Sequence, residues 1–208
     1  MNVEILPASK ETTITAASVI KSGGIIAFKT DTFYGLGVDP LNGPSVQRLK
    51  EIKGRDDGKP ILLLISDESE VERFILNRSL VFDKATKAFW PGPITFVIRA
   101  NPLVPDEITA GTGTVGIRLP SDTRVREFVR QCGGALTATS ANLAGQPPGR
   151  TAAEVLDQFD GTLDLIIDGG EVTATEASTV LDITNYPLKL IREGAVGRDL
   201  IKAIFEVY

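Results

Sequence analysis

Three cations, Lys53, Arg55 and Lys59, crowd around Gly54. Arginine offers a rigid fork of donors to phosphate or carboxylate oxygens, and lysine acts as a compact point charge. Upstream, the apolar stretch Ile25–Phe28 runs into a polar turn carrying Thr30, Asp31, Thr32 and Tyr34, and Gly35 and Gly37 follow. Glycine lets a backbone approach a ligand closely. A strand end, hydroxyls, glycines and clustered cations point to a site for an anionic ligand, phosphate above all. Later groups fit the same chemistry. Thr114 and Arg118 lie on one segment that reads as a strand, and alternation puts both on one face with Gly116. Ser140 and Asn142 follow small residues at a strand's C-terminal end, where open α/β sheets bind ligands. Ser178 and Arg192 occupy late strand positions. Taken singly, these groups also read as a solvated helix end, an exposed strand face, a side-chain turn and a salt bridge. Their convergence on one chemistry favours a shared site.

Two familiar patterns fail on context. Three residues separate Gly54 from Gly58 where a P-loop needs four, and Pro60 follows the lysine. Gly111, Gly113 and Gly116 match the spacing of a dinucleotide fingerprint, but they lead into the strand T-V-G-I-R-L rather than out of a strand into a helix.

The chain has 208 residues and no histidine. That excludes Ser-His-Asp and Cys-His nucleophile arrangements, and histidine-ligated zinc. One cysteine, Cys132, excludes an internal disulfide and supplies no thiolate metal cluster. Ser140 without a histidine partner is a poor nucleophile. Catalysis is left to carboxylates, lysine, arginine, hydroxyls, backbone groups or a metal brought by the substrate. The net charge of −5 argues against a generally basic nucleic-acid binder but allows a local basic groove. The N-terminus lacks the pattern of a secretory signal and no apolar run has the length of a membrane span, so a cytoplasmic protein is expected.

These groups must be positioned by alternating short strands and helices, the pattern of an α/β domain. Strands are expected at 3–6 (an edge), 25–29, 61–65 (central), 94–99, 114–119, 135–139, 164–167, 178–183 and 188–192. Helices are expected at 11–21 with Ala16, Val19 and Ile20 inward, at 45–52 after Pro44, at 80–89 before the W-P-G-P turn, and from Ser121 to Gln131. Capping boxes at Asp67/Glu70 and Thr151/Glu154 predict helices to about Ile75 and to Phe159. A loop fills 101–113, and a last helix from Gly197 buries Leu200, Ile201, Ile204 and Phe205.

The blocks T-D-T-F-Y-G-L-G, K-G-R, W-P-G-P-I-T-F, T-V-G-I-R-L-P, T-S-A-N-L-A-G-Q-P-P, S-T-V-L-D-I and L-I-R-E-G-A, in this order, resemble the YrdC-like family over nearly the whole chain. The resemblance implies one domain over residues 1–208, with a twisted, mixed open sheet and flanking helices around a basic cleft. It is to the short form, without the extra C-terminal domain of longer synthases. It implies that L-threonine, bicarbonate and ATP are joined into threonylcarbamoyl-adenylate, with pyrophosphate released, for the N6-threonylcarbamoyladenosine modification of tRNA. Thr32, Arg118 and Ala138 would then hold threonine. Arg55, Lys59, Thr114, Ser140, Asn142, Ser178 and Arg192 would contact the nucleotide, with Lys53 and Arg55 catalytic. No resident metal is implied; Mg²⁺ would arrive with ATP. Partner proteins of tRNA modification and direct contact with tRNA or double-stranded RNA are further expectations. Lys29, Leu64 and Lys59 stand where the family commonly has proline, histidine and asparagine. The competing readings are a double-stranded RNA or tRNA-binding module and a paralogue with a different amino-acid substrate.

Overall fold

A computed structural model describes residues 3–54 and 60–208. In chain order the elements are β1 (Glu4–Pro7), α1 (Lys10–Lys21), β2 (Ile26–Lys29), β3 (Tyr34–Gly37), α2 (Gly43–Ile52), β4 (Leu62–Ile65), a 3₁₀ turn (Glu68–Arg73), α3 (Leu80–Phe89), β5 (Ile94–Arg99), α4 (Asp106–Thr109), β6 (Thr114–Arg118), α5 (Thr123–Gln131), β7 (Ala135–Thr137), β8 (Thr139–Ser140), α6 (Ala152–Phe159), β9 (Leu165–Asp168), β10 (Thr179–Asp182), β11 (Lys189–Arg192) and α7 (Arg198–Lys202).

Among the described residues these strands form two mixed sheets rather than the single open sheet expected. One has the order β1-β9-β2-β3-β8 and the other β11-β10-β5-β6-β4-β7. The split follows from two short segments. Tyr34–Gly37, read in the sequence as turn and glycines, pairs antiparallel with β2 as a hairpin. The expected strand 135–139 breaks at Ala138, with β7 pairing β4 in one sheet and β8 pairing β3 in the other. The chain therefore crosses between sheets at Ala138 and stitches them together.

One core joins both sheets. Ala27 and Leu36 from the first sheet, and Leu63, Phe96 and Ile117 from the second, belong to one buried cluster with Leu49 of α2 and Phe82 of α3. Trp90 sits between Phe82 and Phe96, with ring centroids 5.8 and 5.3 Å away. Aromatic pairs in this geometry add about 0.5–1.5 kcal/mol beyond their buried area.

Helix starts follow local hydrogen-bonding chemistry. The side chains of Asn42, Ser79 and Thr151 accept from the backbone N–H of Ser45, Phe82 and Glu154. Asp122, not Ser121, caps α5, because its carboxylate takes the N–H of Arg124 at 2.8 Å. Asp67 bonds the N–H of Ser69, and Glu70 turns to Arg73 instead of closing a capping box, so a 3₁₀ turn forms where an α-helix was expected. The loop 101–113 contains the single turn α4. Ile201 of the last helix and Phe205 beyond its end are buried, but Leu200 is 63% exposed, and the helix is shorter than expected. No helix among the described residues is long and apolar enough to cross a membrane.

Tyr34 ties the hairpin to the end of β9. Its hydroxyl donates to Gly170 O at 2.9 Å and accepts from the N–H of Gly169 at 3.1 Å. Burial pushes its pKa up to about 12, with the Gly169 N–H opposing and the Asp168 carboxylate assisting. Burial likewise pushes the Cys132 thiol up to about 12. Both folded pKa values lie above the ordinary values of 9.0 for the thiol and 10.0 for the phenol. Their contribution to stability is therefore complete below those values and is lost as pH rises toward 12. Urea unfolding should show the midpoint falling steadily from pH 9 to 12; a flat profile would contradict these burial costs.

Candidate functional site

The register of the second sheet sets out the floor of a cavity of about 750 Å³. Val180 lies across from Thr95, and Leu64 across from Arg118; one step along, Asp182 faces Val97, Val97 faces Gly116 and Gly116 faces Leu62. Alternation puts Ser178, Val180 and Asp182 on one face, as it does Thr95 with Val97, Thr114 with Arg118, and Leu62 with Leu64. All nine line the cavity. Gly116 stays flat because a Cβ there would come within 2.3 Å of Leu62 Cδ2 and 3.3 Å of Thr95 Cγ2. The first sheet supplies the wall through the turn before β3 and through the Ala138 crossover.

Arg118 is 4% exposed. Its Nη2 donates to Thr32 Oγ1 at 3.4 Å and comes within 3.1 Å of Asp31 Oδ1, an ion pair without hydrogen-bond alignment. Arg118 Nη1 and Asp31 Oδ1 are both buried and lack hydrogen-bond partners among the described residues. Burial pulls the Arg118 pKa below the usual guanidinium range; Asp31 opposes this and nearby Arg192 adds to it. The group stays charged because an arginine starts so far above neutrality. A buried cation with an unmatched donor, beside a second cation, has the hydrogen-bonding capacity to take a carboxylate or phosphate oxygen.

Arg192 Nε and Nη2 donate to Ser178 O at 3.1 and 2.7 Å, and Ser178 Oγ lies 3.2 Å from Thr95 Oγ1. Partial burial lowers the Arg192 pKa. The turn carrying Thr32 is organised by Thr30, whose hydroxyl donates to Phe33 O at 2.6 Å and accepts from the N–H groups of Thr32 and Phe33, each at 3.2 Å.

The cavity thus gathers Thr32, Thr114, Arg118, Ala138, Ser140, Ser178 and Arg192 from distant parts of the chain. Lys53 and Asn142 are not among its lining residues. The buried Lys53 donates through Nζ to Ser140 O and to Asn142 Oδ1. Asn142 also accepts from Ser140 Oγ at 2.6 Å and donates to Leu143 O and Gln146 O. These two residues brace the Ser140 turn from behind. Arg55 and Lys59 lie outside the described residues; Pro60, directly after them, lines the cavity. Phe33, Thr95, Asp182 and Ile191 line it too and were not singled out from the sequence. Period-two alternation along S-T-V-L-D and I-T-F-V would have flagged Asp182 and Thr95.

An α/β cavity lined by apolar side chains and a few convergent cations and hydroxyls defines a small-molecule binding protein. The Sua5/YciO/YrdC family model, described as telomere recombination, matches residues 18–194, and the chain belongs to this family. A curated relative from Pyrococcus abyssi, named threonylcarbamoyl-AMP synthase, is 34% identical over 91% of this chain. The chain spans 56% of that relative's length. A relative of the same name from Idiomarina loihiensis is 36% identical over 82% of this chain and 92% of its own. The structure of P. abyssi Sua5 complexed with L-threonine superposes with a TM-score of 0.91 and 31% identity, covering 98% of this chain and 61% of that one. E. coli YciO shares the fold, with a TM-score of 0.83, 24% identity and coverage of 95% and 98%.

Thr30→Val deletes the hydroxyl's four hydrogen bonds, to Phe33 O, to the Thr32 and Phe33 N–H groups and to Thr32 Oγ1, while keeping its shape. It should destabilise the protein by about 1–3 kcal/mol in chemical denaturation. Unchanged stability would show that the turn holds Thr32 by other means.

Proposed function

We propose that the protein is an L-threonylcarbamoyladenylate synthase acting in the cytoplasm on the pathway to N6-threonylcarbamoyladenosine in tRNA. The observation that carries this reading is the buried Arg118 guanidinium, facing the cavity with Nη1 unmatched. The threonine carboxylate pairs there, beside the Thr32 hydroxyl and the small Ala138. Named relatives of the same family support the choice of activity.

The threonine amine attacks the carbon of bicarbonate; a C–N bond forms, water leaves and a carbamate results. A carbamate oxygen then attacks the α-phosphorus of ATP, and pyrophosphate departs with the electrons of the broken P–O bond. Neither step needs a protein nucleophile. Both need reactants held in line and negative charge neutralised. In this reading Arg192, Ser178, Thr114 and Ser140, which line the cavity, meet the nucleotide together with Arg55 and Lys59. Mg²⁺ enters as part of the ATP substrate. Lys53 and Asn142 hold the Ser140 turn in place for this contact. Transfer of the threonylcarbamoyl group to adenosine belongs to partner proteins.

Pyrophosphate release is the test. It should require ATP, bicarbonate and L-threonine together, and fall when serine replaces threonine or the amino acid is omitted. Leu64, buried in the floor, makes the serine comparison the informative one for amino-acid choice. Replacing Lys53 and Arg55 by alanine should abolish release with the fold intact, as judged by circular dichroism; near-normal turnover would sink the assignment. Salt-sensitive binding of tRNA with no pyrophosphate release would instead support an RNA-binding module.

A further inference from the structure

Asp182 is the only carboxylate among the described residues that line the cavity; the other ionisable groups there are Tyr34, Arg118 and Arg192. It sits on the cavity face of β10, two residues beyond Val180 and in register with Val97 and Gly116. The sheet geometry puts its Cα roughly 12 Å from that of Arg118, two strand spacings across and two residues along. Its carboxylate is fixed through one oxygen. Asp182 Oδ1 accepts from the Thr184 N–H at 2.9 Å and from Thr184 Oγ1 at 2.6 Å. Oδ2 has no hydrogen-bond partner among the described residues. Lys189 lies directly across on β11 and forms no ion pair with Asp182.

An anion on the wall of a cavity built for anions repels phosphate and carboxylate alike. What it accepts is a neutral donor. A nucleotide brings such donors on its nucleoside part, as ribose hydroxyls and the exocyclic amine of adenine. The cavity volume lies within the roughly 300–1,000 Å³ typical of small-molecule sites, enough to separate a nucleoside from its phosphates. We propose that Asp182, oriented by Thr184, is a specificity residue that accepts a hydrogen bond from the nucleoside part of the nucleotide at the end of the cavity away from Arg118. Threonine and phosphates occupy the part between Arg118 and Arg192; the nucleoside lies toward the Asp182 end of β10. The inference rests on the nucleotide reading above.

Calorimetric titration of the whole chain with ATP tests it, alongside 2′-deoxyATP, 3′-deoxyATP and ITP. Asp182→Asn keeps an oxygen for Thr184 and turns the free acceptor into a donor. It should weaken ATP binding at least tenfold while L-threonine binding is retained. It should also erase the preference for ATP over the one analogue that lacks the contacted donor: a deoxy analogue if ribose is read, ITP if the amine is read. ATP affinity and analogue preference equal to wild type would overturn the proposal. A loss seen only with Mg²⁺ present, and absent for metal-free ATP, would overturn it in favour of a metal contact. If Asp182→Asn does not fold, Asp182→Ala, which removes the acceptor altogether, takes its place; unchanged ATP affinity and preference there would also overturn it. Wild-type protein that binds no adenine nucleotide sinks this inference and the function reading together, whereas wild-type binding with an indifferent variant sinks this inference alone.

Discussion

A guanidinium withdrawn from water at the centre of the molecule sets the terms for the rest. Arg118 reaches the cavity from β6, an interior strand of the six-stranded sheet, and is 4% exposed. Burying a cation is costly unless partners repay the lost hydration. Asp31 and Thr32 repay part of it from the other sheet, and Nη1 is left unmatched among the described residues. Those two partners can reach Arg118 only because the β2–β3 hairpin carries their turn over the floor, and Tyr34 and Thr30 hold that turn. The two-sheet architecture is in this sense the device that brings a carboxylate and a hydroxyl to a buried arginine.

The same geometry explains why the floor is otherwise so plain. Uncharged leucine, valine, threonine and serine side chains make up most of it, and a side chain at Gly116 would collide with Leu62 and Thr95, both of which line the cavity. Cations stand at few points, so each contact carries orientation as well as charge. With no histidine in the chain, orientation and electrostatic neutralisation are what the residues can supply.

Much of this was legible in the sequence because it is written in period-two alternation and in local capping chemistry. The strands around residues 94–99, 114–119 and 178–183 carry that alternation plainly. The face shared by Thr114 and Arg118 follows from it, and both residues line the cavity. The hairpin strand Tyr34–Gly37 was hidden because two glycines and a short run look like a turn; long-range pairing with β2 and β8, not propensity, makes it a strand. The break at Ala138 was hidden for a similar reason. Five small residues in a row carry no mark of where the chain leaves one sheet for the other. The partners of Lys53 were hidden for another reason: its ammonium donates to Ser140 O and Asn142 Oδ1, nearly ninety residues further along the chain. Of the described residues that line the cavity, Asp182 stands alone as an anion among cations and hydroxyls, and only the alternation of its strand neighbours marks its face.

The most direct measurement of the central claim is equilibrium binding of L-threonine and of L-threoninol, which keeps the side chain and amine but lacks the carboxylate, to wild-type protein and to Arg118→Lys. Wild type should bind threonine and not threoninol, and the lysine variant, deprived of the planar fork, should lose threonine while remaining folded. Equal affinity for the two compounds, or threonine binding untouched in the variant, would contradict the claim.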